Sequence, residues 1–247
     1  MESLNKARGQ MIVFLWLVVV GIISLFFLMI QKQEILGIDQ DAFWQYEKTL
    51  YGTIQYKRMD EEYVPWIVEI IEQYYPLLLE DFQCRDEKNF SIVIYPQKEM
   101  LKKKFKITTS KVPMGAYYKG QIYILSPRVW MEGSVEEQKQ KFMREGPVLH
   151  EMVHWLIDEQ TKKRVPHWLN EGMALYYEYK YMGVEWGEHL SMEQMEKSRE
   201  ITMEELKNSF FSLNEVLVYR RSFEMVRDWI QEHGEEALHQ KVLSFYN

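Results

Sequence analysis

The chain reads as an α+β protein, and three features predict it. Short β-type segments are concentrated between residues 52 and 125, helical spacing dominates from Ser134 onward, and a long uncharged run precedes both. With 247 residues, 47% hydrophobic and 15% aromatic, the chain has material for one sizeable core plus an appendage.

The uncharged run, residues 11–30, reads MIVFLWLVVVGIISLFFLMI. As a helix these positions span about 30 Å, the hydrocarbon thickness of a bilayer. A cleaved signal peptide has a shorter apolar region ending in small residues. Here the run stays bulky through Phe26, Phe27, Leu28, Met29 and Ile30, which predicts an uncleaved anchor. Lys6 and Arg8 precede it, whereas only Lys32 closely follows before Glu34, Asp39, Asp41 and Glu47. The positive-inside rule makes residues 1–10 a cytoplasmic tail. The expected location is therefore the cell membrane, single-pass, with the remaining domain extracytoplasmic and the lipid bilayer a partner.

Residues 31–51 form a juxtamembrane connector, for which the spacing of Ile35, Ile38, Phe43 and Tyr46 predicts a helix over about 35–50. GTIQYK, residues 52–57, alternates as a short strand does. Residues 60–80 carry helical spacing in Val64, Ile67, Ile71, Tyr74, Tyr75 and Leu78, with Pro65 tolerated in the first turn. FSIVIY, residues 90–95, is β-branched and stops at Pro96. GAYY and QIYIL, joined at Lys119-Gly120, predict a hairpin. Ser134-x-x-Glu137 is a capping-box pattern opening the helical half. No repeat, low-complexity tract or linker divides residues 35–247, so residues 52–247 are read as one domain.

The net charge of -7 argues against a nucleic-acid partner, and no Lys/Arg cluster interleaves with aromatics along the sequence. The runs at Lys102-Lys103-Lys104 and Lys162-Lys163-Arg164 read as solvated faces. Cys84, the single cysteine, cannot form an intrachain disulfide and has no C-x-x-C partner.

The chemistry is concentrated at His150-Glu151-Met152-Val153-His154, an H-E-x-x-H sequence. Gly146 can end the preceding helix, Pro147 suits a first helical position, and Val148, Leu149, Met152, Val153, Leu156 and Ile157 supply a buried side. Positions i and i+4 project from one helix face, so both imidazoles can meet a single ion. Glu151 is close enough to act on a water held by that ion without being a ligand. A catalytic zinc takes three protein ligands and keeps one position open. A metzincin would place a glycine and a third histidine just downstream, where Ile157 and Gln160 stand instead. Glu171 follows a turn at 161–164 on a second helix. Its carboxylate, among Trp168, Leu169, Met173 and Leu175, is costly to bury unless it is paired or binds a cation.

HEMVH followed by PHWLNEGMALYY resembles the gluzincin branch of zincin peptidases, and more closely the small peptidase-MA-like domains with H-E-x-x-H and then P-x-W-L-x-E-G-x-A. The resemblance extends over residues 52–247, because FSIVIYP, GAYYKGQIYIL and YRRSFEMVRDWIQEHGEEAL follow that family's element order. It implies a zincin-like, thermolysin-like domain with an N-terminal mixed sheet and hairpin before a helical half. One Zn2+ would be held by His150, His154 and Glu171, with Glu151 as general base. Gly115-Ala116-Tyr117 corresponds to the substrate-binding edge strand. It lacks the glutamate of aminopeptidase relatives, which points to an endopeptidase acting on peptides or proteins. Tyr219 matches a transition-state tyrosine that opens its helix, although packing is an equal reading for it. His167, between Pro166 and Trp168, is read as structural, with lining of the cleft as the alternative, and His189, His233 and His239 as surface residues. Tyr176 and Tyr177, following the Glu171 turn, direct one face to the site and the other to the core. The alternative function is a non-catalytic, metal-stabilised binding or sensory ectodomain, which has no need of Glu151.

Overall fold

The computed structural model describes residues 43–84, 88–162 and 164–245. The chain divides into two compact units, Met1–Phe43 and Trp44–Asn247, and the second carries all the elements below. The run at 11–30 lies outside the described residues. Among the described residues no helix is long and apolar enough to cross a membrane.

The architecture is α+β with one mixed five-stranded sheet. Strands β1 (Trp44–Lys48) and β2 (Gly52–Lys57) form an antiparallel hairpin. A 3-10 turn at Arg58–Tyr63 leads into helix α1 (Val64–Asp81), followed by β3 (Phe90–Tyr95) and α2 (Lys98–Phe105). β4 (Gly115–Tyr118) and β5 (Gln121–Leu125) form the second hairpin. Helices α3 (Val135–Glu145), α4 (Val148–Thr161), α5 (His167–Met182), α6 (Met192–Glu200), α7 (Met203–Asn208), α8 (Glu215–His233) and α9 (Glu235–Leu243) complete the chain. The strand order is β1-β2-β3-β5-β4, with β2, β3 and β5 parallel, which leaves β1 and β4 as edges.

The helical reading of 35–50 is corrected over its second half, because Trp44–Lys48 is a strand paired in register with Lys57–Thr53. Its periodicity was ambiguous: Phe43 and Tyr46 are both exposed, so their spacing reports no buried helix face. Residues 31–42 of that connector lie outside the described residues. The second hairpin closes at Lys119 and Gly120, with φ of 51° and 82°, the left-handed pair that a two-residue turn requires. Ser134 and Glu137 form both halves of the capping box. Pro147 stands at the N-cap of α4, one position before the first helical residue.

One sheet face, carrying Ile54, Ile92, Ile94, Ile122 and Ile124, packs against α1 and α4 in a single core. Each fully buried side chain of this size contributes about 1.5–3 kcal/mol relative to exposure. Pro76 sits inside α1 but faces solvent, where the carbonyl it leaves unbonded can meet water. The other face carries Val93, Tyr123 and Leu125 and is covered by Leu101 of α2. Because both faces are covered, β3 reads as a continuous apolar run.

Candidate metal centre

Helix α4 presents His150 and His154 one turn apart, with ring centroids separated by 4.6 Å and planes at 84°. Lys162 ends the helix in the left-handed conformation, and α5 returns beside α4. Glu171 Oε2 then lies 3.4 Å from His150 Nε2, and Oε1 lies 3.7 Å from His154 Nε2. One donor atom from each of the three lies within 4.8 Å of the others, a grouping that could hold a metal ion.

The glycine after Glu171 has a packing cause. A Cβ on Gly172 would sit 2.4 Å from the Ser222 carbonyl oxygen and 2.7 Å from Val226 Cγ2. Its absence lets α8 pack directly on α5, and that packing brings Tyr219 to the site. Tyr219 does not open its helix as the sequence reading held: α8 starts at Glu215, capped by the Asn214 side chain, so Tyr219 lies in the second turn. Its ring touches Trp186 and Phe210, and it lines the same cleft as Glu171. Burial, followed by the charge of Glu171, raises this phenol well above its ordinary range.

Glu151 is buried beside the three candidate ligands, and its Oε2 has no hydrogen-bond partner. Burial raises its carboxyl to about 8, with Glu171 and Glu178 reinforcing the shift while His150 and the Tyr117 backbone N–H oppose it. Edge strand β4 passes close by. A Cβ on Gly115 would lie 2.6 Å from Pro147 Cβ and 2.7 Å from Glu151 Oε1, so only glycine permits this approach. Ala116 and Tyr117 continue along the same cleft, and the Tyr117 hydroxyl donates to Asp158. The cleft has a volume of about 1040 Å3.

The sequence reading missed a carboxylate that contacts one of the candidate ligands. Glu178 Oε2 lies 3.4 Å from His150 Nδ1, on the ring edge away from Glu171. Burial alone would lower His150, but the charge of Glu178 and the nearby carboxylate of Glu171 hold it well above its ordinary value. The negative field that retains a proton there also attracts a divalent cation. His154 is pushed down to about 4 by burial. His154 Nδ1 and Asn170 Oδ1 are both buried without a hydrogen-bond partner. Burial would raise Glu171, yet His154 and then His150 bring it down to about 2.

Spacing along α5 held the missing signal. His167, Glu171 and Glu178 stand four and seven residues apart, on one helix face. His167 lines the cleft rather than the core, with Nε2 3.5 Å from Glu171 Oε1 and its ring against Phe210 and Phe211. His239, read as a surface residue, is buried against Phe82 and Tyr177. His189 and His233 are exposed. Tyr177 turns into the core and Tyr176 is half-buried. Cys84 is half-buried, and burial raises its thiol. Scanned against models of protein families the chain matches none, and no curated protein matches it.

Proposed function

We propose that this chain is a membrane-anchored, extracytoplasmic, zinc-dependent endopeptidase of the zincin-like, thermolysin-like type. The observation that carries the reading is the convergence of His150, His154 and Glu171 from two helices, with the partly unpaired carboxylate of Glu151 beside them in a cleft. Two imidazoles and one carboxylate make a catalytic zinc donor set with a position left open. The donor separations of 3.4 and 3.7 Å are near the roughly 3.3 Å edge of a tetrahedron built on bonds of about 2.05 Å. The membrane half of the reading rests on the uncharged run at 11–30 and its flanking charges.

When bound, zinc polarises the scissile carbonyl and makes water acidic near neutral pH. Glu151 takes the proton from the attacking water and passes it to the leaving amine. Its burial holds the proton with an affinity suited to transfer near neutrality, and a divalent cation alongside favours its ionised form. Glu178 contacts the far nitrogen of His150 and leaves Nε2 on the Glu171 side, where it would hold the ion. Tyr219 supplies a phenolic donor for charge developing on the carbonyl oxygen. Edge strand β4, over Gly115, Ala116 and Tyr117, lines the cleft, and an extended peptide can lie alongside it.

The test combines metal analysis of the purified full chain with cleavage of a mixed peptide library by wild type and Glu151→Gln. Glu151→Gln keeps the shape but cannot accept a proton, so it is expected to retain one zinc and lose cleavage. If both proteins hold zinc and neither cleaves, the metal-stabilised ectodomain reading takes its place.

A further inference from the structure

The fold gathers a basic face that the sequence does not show as continuous. Between residues 97 and 121 the chain carries seven lysines and one acid, Glu99, in a protein of net charge -7. Helix α2 lays Leu101 and Phe105 on the sheet face opposite α4, so Lys98, Lys103 and Lys104 point to solvent while Lys102 is half-buried. Lys106 ends the helix, and the hairpin turn brings up Lys119. Aromatic rings connect these positions: Lys104 Nζ lies 5.1 Å from the centre of the Tyr123 ring and Lys119 Nζ 5.2 Å from that of Tyr118. Phe105 meets both rings edge-on, and Tyr95 stacks on Tyr123 and touches Trp44.

Six of the seven differ from Lys111, which pairs with Glu215 Oε2 at 2.5 Å, and from several lysines elsewhere on the surface. Lys88, Lys139, Lys180 and Lys197 each sit within 2.9 Å of a carboxylate. Among the described residues, no carboxylate pairs with Lys98, Lys102, Lys103, Lys104, Lys106 or Lys119. Tyr118 and Met114 remain exposed beside them.

We propose that this face docks against a lipid surface bearing anionic headgroups. Uncompensated lysines on flexible stems, interleaved with tyrosines and a tryptophan, match the chemistry of a charged membrane interface. The thirteen residues between Ile30 and Trp44 span at most about 45 Å, so an anchored domain is held at high effective concentration above the bilayer. Trp44, where the chain enters the domain, packs on this same face. The rest of the domain is acidic and is repelled by the same surface, which selects this orientation. Each lysine brought to an anionic surface multiplies the docked population by about fivefold, and the effect fades beyond a Debye length. The proposal rests on the anchor part of the proposed function and not on its chemistry.

The experiment places the full chain in nanodiscs of phosphatidylcholine alone or with phosphatidylglycerol and follows hydrogen–deuterium exchange across residues 98–106. Residues 225–233 serve as the reference. Docking predicts uptake slowed at least about threefold by phosphatidylglycerol, with the difference removed by about 0.5 M salt. Lys98→Gln/Lys102→Gln/Lys103→Gln should remove it as well, with the reference segment unchanged. Equal uptake in the two lipids overturns the docking and leaves the anchor standing. Protection by a soluble polyanion such as heparin without any effect of phosphatidylglycerol assigns the face to a polymer and also overturns it. Failure of the chain to incorporate into nanodiscs overturns both the anchor and the docking, while peptide cleavage remains a separate measurement.

Discussion

Gly172→Ala separates two opposite expectations. By helix propensity alone the change should stabilise α5 by about 1 kcal/mol, because glycine is the weakest non-proline helix former. In this fold the new Cβ would meet the Ser222 carbonyl oxygen at 2.4 Å, so α5 and α8 must separate by about 1 Å to restore ordinary contact. Overpacking of this kind costs about 1–3 kcal/mol, toward the upper end when the opposing atom belongs to a helix backbone. The net expectation is a loss of about 2 kcal/mol, or a fall of roughly 4–8 °C in Tm for a domain of this size. Glu171 precedes the glycine, and Tyr219 lies three residues before Ser222, so the separation also disturbs the site. Metal affinity should fall by tenfold or more, because ligand sites tolerate little displacement. Differential scanning calorimetry and competition titration with a chromophoric chelator measure the two effects. A Tm unchanged or raised by 2–4 °C, the propensity result, would refute the close-packing argument.

Glu178→Gln should keep the fold and lower zinc affinity by about 10- to 100-fold, because the carboxylate partner of His150 Nδ1 is lost; isothermal titration of the apo chain measures it. Tyr219→Phe should lower turnover by about 100- to 1000-fold with zinc content unchanged, and unchanged turnover would return Tyr219 to packing. Burial keeps His239 below its ordinary value of 6.5, so the fold favours the neutral ring. Its contribution to stability is therefore complete above pH 6.5 and is lost as pH falls below it. His239→Gln should flatten the fall in Tm between pH 7 and 5. Glu171→Ala should abolish tight zinc binding while His167→Ala weakens it far less, which parallel metal analysis of the two proteins decides.

The strands Gly52–Lys57, Phe90–Tyr95, Gly115–Tyr118 and Gln121–Leu125, and the capping box at Ser134, were legible because each rests on local chemistry: alternation, β-branching, a Lys-Gly turn, reciprocal hydrogen bonds. So was the pairing of His150 with His154, since helical geometry alone puts i and i+4 on one face. Three things depended on contacts between distant segments. Trp44–Lys48 is a strand because β2 lies ready to pair with it, while its own pattern suited a helix equally. His239 is buried because α9 docks on Phe82 and Tyr177, which a lone histidine in a polar helix does not announce. Glu178 meets His150 only because α5 runs back along α4, turning an otherwise ordinary glutamate toward that ring. The sequence by itself determined the local elements and the residue types able to hold a metal. The tertiary structure decided which of them meet, because burial, charge pairing and ligand geometry are properties of segments brought together from far apart in the chain.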